Sequence, residues 1–202
     1  ISEKTTFYLD YNQSYTPSNY NNKYPNKEIT MIEALASSDN IYAVKMHLFL
    51  GEETLTKRLA SLNIKNSEPN ASLALGTQDI TPIDLCAIYN CIASKGIYYE
   101  PYSITKITSN NKEIYKHIIE GEKKLDESYC LVLSQLLTST FHKDLNGTMA
   151  NYQVPSTFAA KTGTSDWDSW LVAYDPTLTL VMWSGYDDNR PLDYTSQTIN
   201  RQ

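Results

Sequence analysis

Long apolar runs and clustered positive charge are both missing from the sequence. No stretch approaches the roughly 18 apolar residues that a membrane-spanning helix needs, and residues 1–20 lack the apolar core of a signal peptide. Any membrane anchor or export signal is therefore expected outside this stretch. The 17 Lys and Arg residues are scattered among 23 Asp and Glu, and the formal net charge is -6. Without a basic stripe for a phosphate backbone, we expect no nucleic-acid partner.

Residues for metal ligation and disulfide bonding are also scarce. The cysteines are odd in number: Cys86, Cys91 and Cys130. The five-residue spacing of the first two points them to different sides of a helix, so we interpret all three as small buried hydrophobic residues. The histidines are isolated and are interpreted as ordinary surface or helix residues: His47, His117 and His142. No Cys or His pair has ligand spacing, so no metal site is predicted.

The chain does have the length and apolar content of one globular domain, with 202 residues of which 41% are hydrophobic and 20% charged. There is no internal repeat and no low-complexity linker. Residues 1–29 form an irregular N-terminal segment, rich in Tyr, Asn, Ser and Pro, in which a short strand precedes irregular chain. Order in this segment is expected to come from packing against the rest of the domain.

Residues 30–96 predict a helical block. Thr30 can cap a helix with Glu33 as its capping-box partner, and this helix should end near Ser37. Further helices are predicted over residues 41–50 (closed by Gly51), 52–62 and 82–96.

Residues 97–156 predict a hairpin and a helix, and residues 157–192 predict a sheet. Residues 97–119 alternate like a hairpin with Ser109–Lys112 as its turn, and a helix follows over 126–140. The final strands are expected over residues 157–161, 167–174 and 178–185, with Asp175-Pro176 at the second turn. This order indicates an α+β fold with an antiparallel sheet beside a helical subdomain.

Two short motifs can carry acyl-transfer chemistry. Ser38-Asp39-Asn40 lies between two predicted helices, and Lys161-Thr162-Gly163-Thr164 lies at the end of a predicted strand. Together with S-x-x-K, the S-D-N and K-T-G motifs form the signature of serine β-lactamases and penicillin-binding proteins. Taken singly, the first motif could be a helix cap and the second a solvated strand end.

Each residue of the two motifs has a function that acyl transfer requires. The Ser38 hydroxyl can relay a proton, and the Asn40 amide can bond a substrate amide and a neighbouring lysine. Lys161 supplies positive charge for a substrate carboxylate, to which the hydroxyls of Thr162 and Thr164 can donate. Gly163 removes a side chain where a substrate would lie along the strand edge.

The surrounding segments resemble the transpeptidase domain of class A penicillin-binding proteins over roughly residues 12–192. The matched segments are YTPSNY (15–20), ITMIEALASSDNIYAV (29–44), LALGTQDITPIDLCAIY (73–89), Gly147-Thr148, residues 161–174 and residues 183–191. The resemblance implies a serine β-lactamase/DD-peptidase-like fold, incomplete at both ends.

The resemblance also implies a D,D-transpeptidase that joins peptidoglycan stem peptides ending in D-Ala-D-Ala and is acylated by β-lactams. Ser38, Asn40 and Lys161 would be catalytic, and Thr162, Gly163 and Thr164 would bind substrate, with the Thr164 amide as an oxyanion donor. No metal or organic cofactor is implied. The parent protein would carry an upstream glycosyltransferase domain and a membrane anchor, and would act on the extracytoplasmic face of the cell membrane.

One family motif is not where the resemblance requires it. The nucleophilic S-x-x-K should precede Ser38, but residues 1–37 do not contain it. The matches at Ser103–Lys106 and Ser109–Lys112 lie in a strand-like run and a turn, so neither opens a helix that would place the lysine beside the serine. We therefore expect a companion segment or chain to supply this serine. The family's C-terminal helix could begin only at residues 198–202.

Two alternatives remain open from the sequence alone. A β-lactamase or carboxypeptidase of the same fold would differ in how quickly water releases the acyl group. A non-catalytic module would recognise wall peptides or a partner without forming a covalent bond. The absent S-x-x-K motif is the sole support for this alternative, and truncation explains the absence equally well. Asp187-Asp188 is interpreted as part of a solvated loop and not as a catalytic carboxylate pair.

Overall fold

The computed structural model describes residues 1–10, 13–152, 154 and 157–193. The helices are α1 (Met31–Ser37), α2 (Asn40–Leu50), α3 (Glu52–Ser61), α4 (Pro82–Ala93) and α5 (Glu127–Thr138). The strands are β1 (Phe7–Asp10), β2 (Gln13–Tyr15), β3 (Ile97–Tyr99), β4 (Lys106–Ser109), β5 (Lys112–Lys116), β6 (Gly121–Lys123), β7 (Ala159–Thr164), β8 (Ser169–Tyr174) and β9 (Thr179–Ser184). Within the described ranges, no helix is long and apolar enough to cross a membrane.

The helix starts follow from their capping residues. The Glu33 N–H donates to Thr30 Oγ1 (3.3 Å) while the Thr30 N–H donates to Glu33 Oε2 (2.7 Å), so the predicted capping box of α1 is confirmed. Asp39 caps α2, and Thr81 caps α4 with Pro82 at its first position. The predicted helices start within one residue of those observed, but α4 ends at Ala93 instead of 96.

The sheet that supports the site has the strand order β7-β8-β9, all antiparallel. The predicted strands are confirmed, although β7 runs on to Thr164 where the sequence predicted an end at residue 161. On one face, α4 and α5 enclose a core made of Ile92, Cys130, Leu137, Ala159, Val172 and Tyr174. On the other face, Met149 packs against Ala160 and Leu171. The sheet therefore carries a buried layer on each side.

The middle of the chain differs from the predicted hairpin over 97–119. Only β4 and β5 form a hairpin, with Asn110 (φ 50°) and Asn111 (φ 62°) at its turn, whereas β3 pairs with β6. The reason is a close crossing at Gly96, whose carbonyl accepts from the Lys124 and Leu125 N–H groups at 2.9 and 3.1 Å. A Cβ at Gly96 (φ 89°) would lie 2.1 Å from Leu125 O, so only glycine fits there.

The N-terminal segment is more ordered than the sequence suggested. It contains two strands, β1 and β2, in place of the single predicted strand, and Ser2 forms a bridge with Lys27. Ser2 and Asn19 are buried at 1% and 7% exposure. Their polar side chains lie beneath the junction of α1 and α2, and this is how packing orders a segment with so few apolar residues. The C-terminal helix considered at 198–202 lies outside the described residues.

Candidate active site

The junction between α1 and α2 is a sharp turn centred on Ser38. Ser38 adopts the left-handed conformation (φ 58°, ψ 53°), and the Asp39 N–H donates to Ala34 O at 2.9 Å, as in a Schellman helix end. Glycine is the usual residue at this position because it has no Cβ. A serine here stores about 1–2 kcal/mol of backbone strain.

A buried hydrogen-bond network fixes the other side of the turn. Asp39, 6% exposed, accepts from Ser2 Oγ (2.5 Å) and Asn19 Nδ2 (2.7 Å) through Oδ2, and from the Tyr42 N–H (2.8 Å) through Oδ1. Asn19 Oδ1 accepts from the Asn40 N–H at 2.8 Å. Because every partner is held by the fold, the first turn of α2 has a single defined position.

Lys161 joins this turn to the sheet. Its Nζ donates to Ser38 Oγ and to Thr162 O, each at 2.7 Å. The lysine is half-buried on β7, and its contact with Ser38 spans 123 residues of sequence. The ammonium group therefore holds the serine oxygen as an acceptor, and the serine hydrogen is left to point elsewhere. The structure thus brings together one residue from each predicted motif.

The remaining residues of the K-T-G-T motif alternate across β7. Gly163 lies on the same face as Lys161, whereas Thr162 (5% exposed) and the exposed Thr164 lie on the opposite face. Because Lys161 and the two threonines lie on opposite faces of β7, they can contact the same ligand only if that ligand lies along the outer edge of the strand. In the described part of the chain β7 pairs with β8 alone, so its outer edge can accept an added strand.

Gly147 and Thr148 tie α1 to the chain that leads into the sheet. The Thr148 N–H donates to Ala36 O at 3.0 Å, which satisfies a carbonyl in the last turn of α1. A Cβ at Gly147 would lie 2.2 Å from Thr140 O, so the close approach requires glycine. The Gly-Thr pair singled out in the sequence therefore supports the end of the helix that carries Ser38.

Three residues of the site escaped the sequence analysis as functional positions: Ser2, Ser18 and Asn19. Ser18 O accepts from Asn40 Nδ2 at 2.7 Å. Ser18 and Asn19 lie in the matched segment YTPSNY, but hydrogen bonds over 20 or more positions leave no local pattern. What distinguishes Asn19 is its burial between an exposed Ser18 and an exposed Tyr20. The burial of a polar residue cannot be predicted from the residue type, so there was no signal for it in the sequence.

The other candidate groups lie apart from this site. Burial raises the pKa of Cys91 to about 11 and also raises the pKa of Cys86 and Cys130, so all three thiols stay protonated at neutral pH. His47 is a buried helix residue whose Nε2 contacts Asn70 O at 3.0 Å. The chance matches at residues 103–106 and 109–112 lie in exposed chain and at the β4–β5 turn. Among the described residues no cluster of His, Cys, Asp or Glu could hold a metal.

Comparison with known families finds one match that covers nearly the whole chain. The model of the penicillin-binding protein transpeptidase domain matches residues 2–198. Penicillin-binding protein 2D of Bacillus subtilis is 40% identical over 202 residues, which cover 95% of this chain and 29% of that protein. Penicillin-binding protein 1A of Aquifex aeolicus is 33% identical and covers 89% of this chain. The chain spans 29% and 25% of the lengths of these two relatives.

Solved structures of low sequence identity share the fold. Penicillin-binding protein 1A from Haemophilus influenzae superimposes with a TM-score of 0.87 over 98% of this chain and 37% of its own, at 18% identity. The PonA1 protein from Mycobacterium tuberculosis, in complex with penicillin V, gives a TM-score of 0.75 over 95% of this chain and 56% of its own, at 19% identity. The predicted α+β transpeptidase fold is confirmed.

Proposed function

Because the chain belongs to the penicillin-binding protein transpeptidase family, we propose that it is part of a D,D-transpeptidase that cross-links peptidoglycan stem peptides by serine acyl transfer. The observation that carries the proposal is the 2.7 Å hydrogen bond between Lys161 Nζ and Ser38 Oγ. This contact places a cation and a hydroxyl that can relay a proton on β7, the edge strand of the described sheet, and acyl transfer to and from a peptide requires such groups.

In the first half of the proposed reaction, a serine hydroxyl from an S-x-x-K segment outside these residues gives its proton to the lysine of that motif and attacks the carbonyl carbon of the penultimate D-Ala. The C–N bond breaks, and the terminal D-Ala leaves as an amine that must gain a proton. Ser38 can relay that proton, since its oxygen accepts from Lys161 Nζ and its own hydrogen can be donated. The proton taken from the nucleophilic serine then replaces the one that Ser38 has donated, so Lys161 keeps its charge.

In the second half, the amine of a neighbouring stem peptide attacks the ester carbon. The new amide forms as the amine nitrogen loses a proton, which the same relay carries to the serine oxygen as the ester C–O bond breaks. The Asn40 amide orients the acyl chain, and the positive charge of Lys161 attracts the terminal carboxylate with the hydroxyls of Thr162 and Thr164 as further donors. The Thr164 N–H is the proposed oxyanion donor, and Gly163 leaves room along the strand edge.

Inhibition by β-lactams follows from the same steps. The serine opens the strained lactam ring by breaking its C–N bond, but the released amine stays tethered and blocks the acceptor. The acyl-enzyme then persists. We place the parent protein on the extracytoplasmic face of the membrane, with a glycosyltransferase domain and an anchor upstream, in line with the class A relatives that the chain matches over a quarter of their length.

The test uses the parent protein with its S-x-x-K segment and a fluorescent penicillin, followed by intact-mass spectrometry. We expect one penicillin mass to be gained on the polypeptide that carries the S-x-x-K serine and to persist for hours. Ser38→Ala should slow acylation by about 10²-fold, because the leaving amine loses its proton relay. Ser109→Ala, at the exposed end of β4, is the matched control and should acylate normally.

Two outcomes would overturn the proposal. Release of hydrolysed penicillin within seconds would identify a β-lactamase or carboxypeptidase. Complete absence of labelling by the intact, folded parent would identify a non-catalytic module that recognises wall peptides.

A further inference from the structure

We propose that Asn19 is a positioning residue for acyl transfer, whose buried carboxamide sets the direction in which Ser38 and Asn40 present their side chains. The inference rests on the proposed transpeptidase function, because it assigns a part in that reaction to a residue outside the three motifs. Asn19 does not lie on either helix of the junction, and it precedes Ser38 by 19 positions.

Both ends of the Asn19 amide are engaged. Nδ2 donates to Asp39 Oδ2 at 2.7 Å, and Oδ1 accepts from the backbone N–H groups of Asn40 (2.8 Å) and Ile41 (3.3 Å). These two N–H groups open α2 and have no partner within the helix. A primary amide carries a donor for a carboxylate and an acceptor for N–H groups on the same carbon at every pH, whereas a carboxyl group does so only when it is protonated. Asparagine is therefore the one side chain of this length that satisfies all three partners at every pH.

The neighbouring peptide fixes the Asn40 side chain as well. Ser18 O accepts from Asn40 Nδ2 at 2.7 Å. Because a carbonyl can only accept, the nitrogen of the Asn40 amide must face Ser18, and this decides where its oxygen points. Residues 18 and 19 thus hold both the main chain and the side chain of Asn40.

The effect reaches Ser38 through Asp39. Asp39 directly follows the strained left-handed residue, and its side chain is anchored on one oxygen by Ser2 and Asn19 and on the other by the Tyr42 N–H. If the Asn19 bond is lost, the turn can relax, and the Ser38 oxygen shifts relative to Lys161 Nζ. A misplacement of about 1 Å can reduce a catalytic rate by about 10²-fold.

The variant Asn19→Asp distinguishes the effect of the amide hydrogen bonds on acylation from the effect of side-chain packing. The variant keeps the size of the side chain and the acceptor for α2, but it replaces the donor with a second carboxylate beside Asp39. Two carboxyl oxygens at hydrogen-bond distance must share one proton. Two cations act close to this pair: Lys161 Nζ donates to Ser38, which precedes Asp39, and Lys45 Nζ donates to the carbonyl of Ile1, which precedes Ser2. Both favour ionisation of the carboxyl pair. The shared proton, and with it the bond, should therefore return only as the pH falls.

The experiment measures the second-order rate of acylation by a fluorescent penicillin in the full parent protein between pH 5.5 and 8. For Asn19→Asp we expect a rate about 10- to 100-fold below the wild type at pH 8, with a gap that narrows toward pH 5.5. Asn151→Asp introduces the same charge at an exposed turn residue and should follow the wild type at every pH. KM and kcat should also be measured separately with a peptide donor. We expect Asn19→Asp to lower kcat and to change KM little.

Asn19→Ala is the second variant, and it removes both ends of the amide without adding charge. Its acylation should be slow at all pH values, while circular dichroism shows a folded protein. Wild-type acylation by Asn19→Ala, or a rate ratio for Asn19→Asp that does not change with pH, would overturn the inference. If the wild-type parent itself never acylates, the proposed function fails instead, and the two failures are distinguishable.

Discussion

The α1–α2 junction and the β4–β5 hairpin are both tight reversals with residues at positive φ, but they are held in opposite ways. The hairpin turns on Asn110 and Asn111, and every residue from Lys106 to Lys116 is exposed. The junction turns on Ser38 and is held by residues far away in the chain. Of the eleven non-glycine residues at positive φ in the described ranges, nine are asparagine, the residue that tolerates this conformation best. The hairpin is encoded locally, whereas the junction places a serine at a positive φ and is held by contacts with distant residues.

The largest difference between the two regions should appear when a lysine is neutralised in each. Lys161→Met removes the cation at Ser38 and the charge for a substrate carboxylate, and we expect penicillin acylation of the parent protein to fall by about 10³-fold. Lys116→Met makes the same change on the hairpin and should leave the acylation rate within about twofold. If both substitutions slowed acylation equally, the proposal that the junction takes part in acylation and the hairpin does not would be wrong.

Substituting glycine at the two turns separates the effect of backbone strain on stability from the effect of the side chain on acylation. Ser38→Gly relieves the left-handed strain but deletes the hydroxyl, so we expect acylation to fall by about 10²-fold while stability is unchanged or rises by up to about 1 kcal/mol. Asn110→Gly should leave both quantities nearly unchanged. Urea denaturation and stopped-flow labelling measure the two quantities, and a destabilised Ser38→Gly protein would contradict the strain argument.

Helix α1 allows a test of local support at the junction. Thr30→Ala removes the cap of α1 and should cost about 1 kcal/mol of unfolding free energy, whereas Thr108→Ala on the exposed hairpin should cost less than about 0.5 kcal/mol. Hydrogen bonds from Thr30 lower the pKa of Glu33. The resulting stabilisation is present above the unfolded-state pKa of Glu33 and is lost as the pH falls through the lower folded-state pKa. Thr30→Ala keeps the backbone N–H donor, which is the larger cause, and deletes only the hydroxyl donor, so it should flatten the acid limb of a stability-versus-pH curve in part.

The smallest effect is expected on the hairpin surface. Ile114 is 64% exposed, so Ile114→Ser should change stability by less than about 0.5 kcal/mol and leave acylation as it is. Thermal denaturation and penicillin labelling check both points. Slower acylation by Ile114→Ser would show that the hairpin affects the geometry of the site.

Local signals made much of the fold predictable. Thr30 and Glu33, Thr81-Pro82 and Asn110-Asn111 each encode a cap or turn within four residues of sequence, and the structure has the predicted element at each place. The pairing of β3 with β6 was missed because it depends on the crossing of Gly96 and Leu125, which are distant in sequence.

The candidate site also has a part that was predictable from local sequence and a part that depends on tertiary contacts. The two motifs identified Ser38 and Lys161 as residues of one site, and only the tertiary fold places them 2.7 Å apart. Asn19 was visible as part of YTPSNY but not as a buried amide with three partners. A polar residue in a polar segment gives no sign of burial, since its burial depends on what packs above it.

The contact between Lys161 and Ser38 also has a consequence in time. The two residues are 123 positions apart, and at about 5 to 20 residues per second a ribosome adds Lys161 about 6 to 25 s after Ser38. During that interval the serine turn has no cation beside it. We therefore expect a nascent parent protein to react slowly with penicillin until β7 has been made and Lys161 lies beside Ser38, so that the start of labelling marks the completion of this contact.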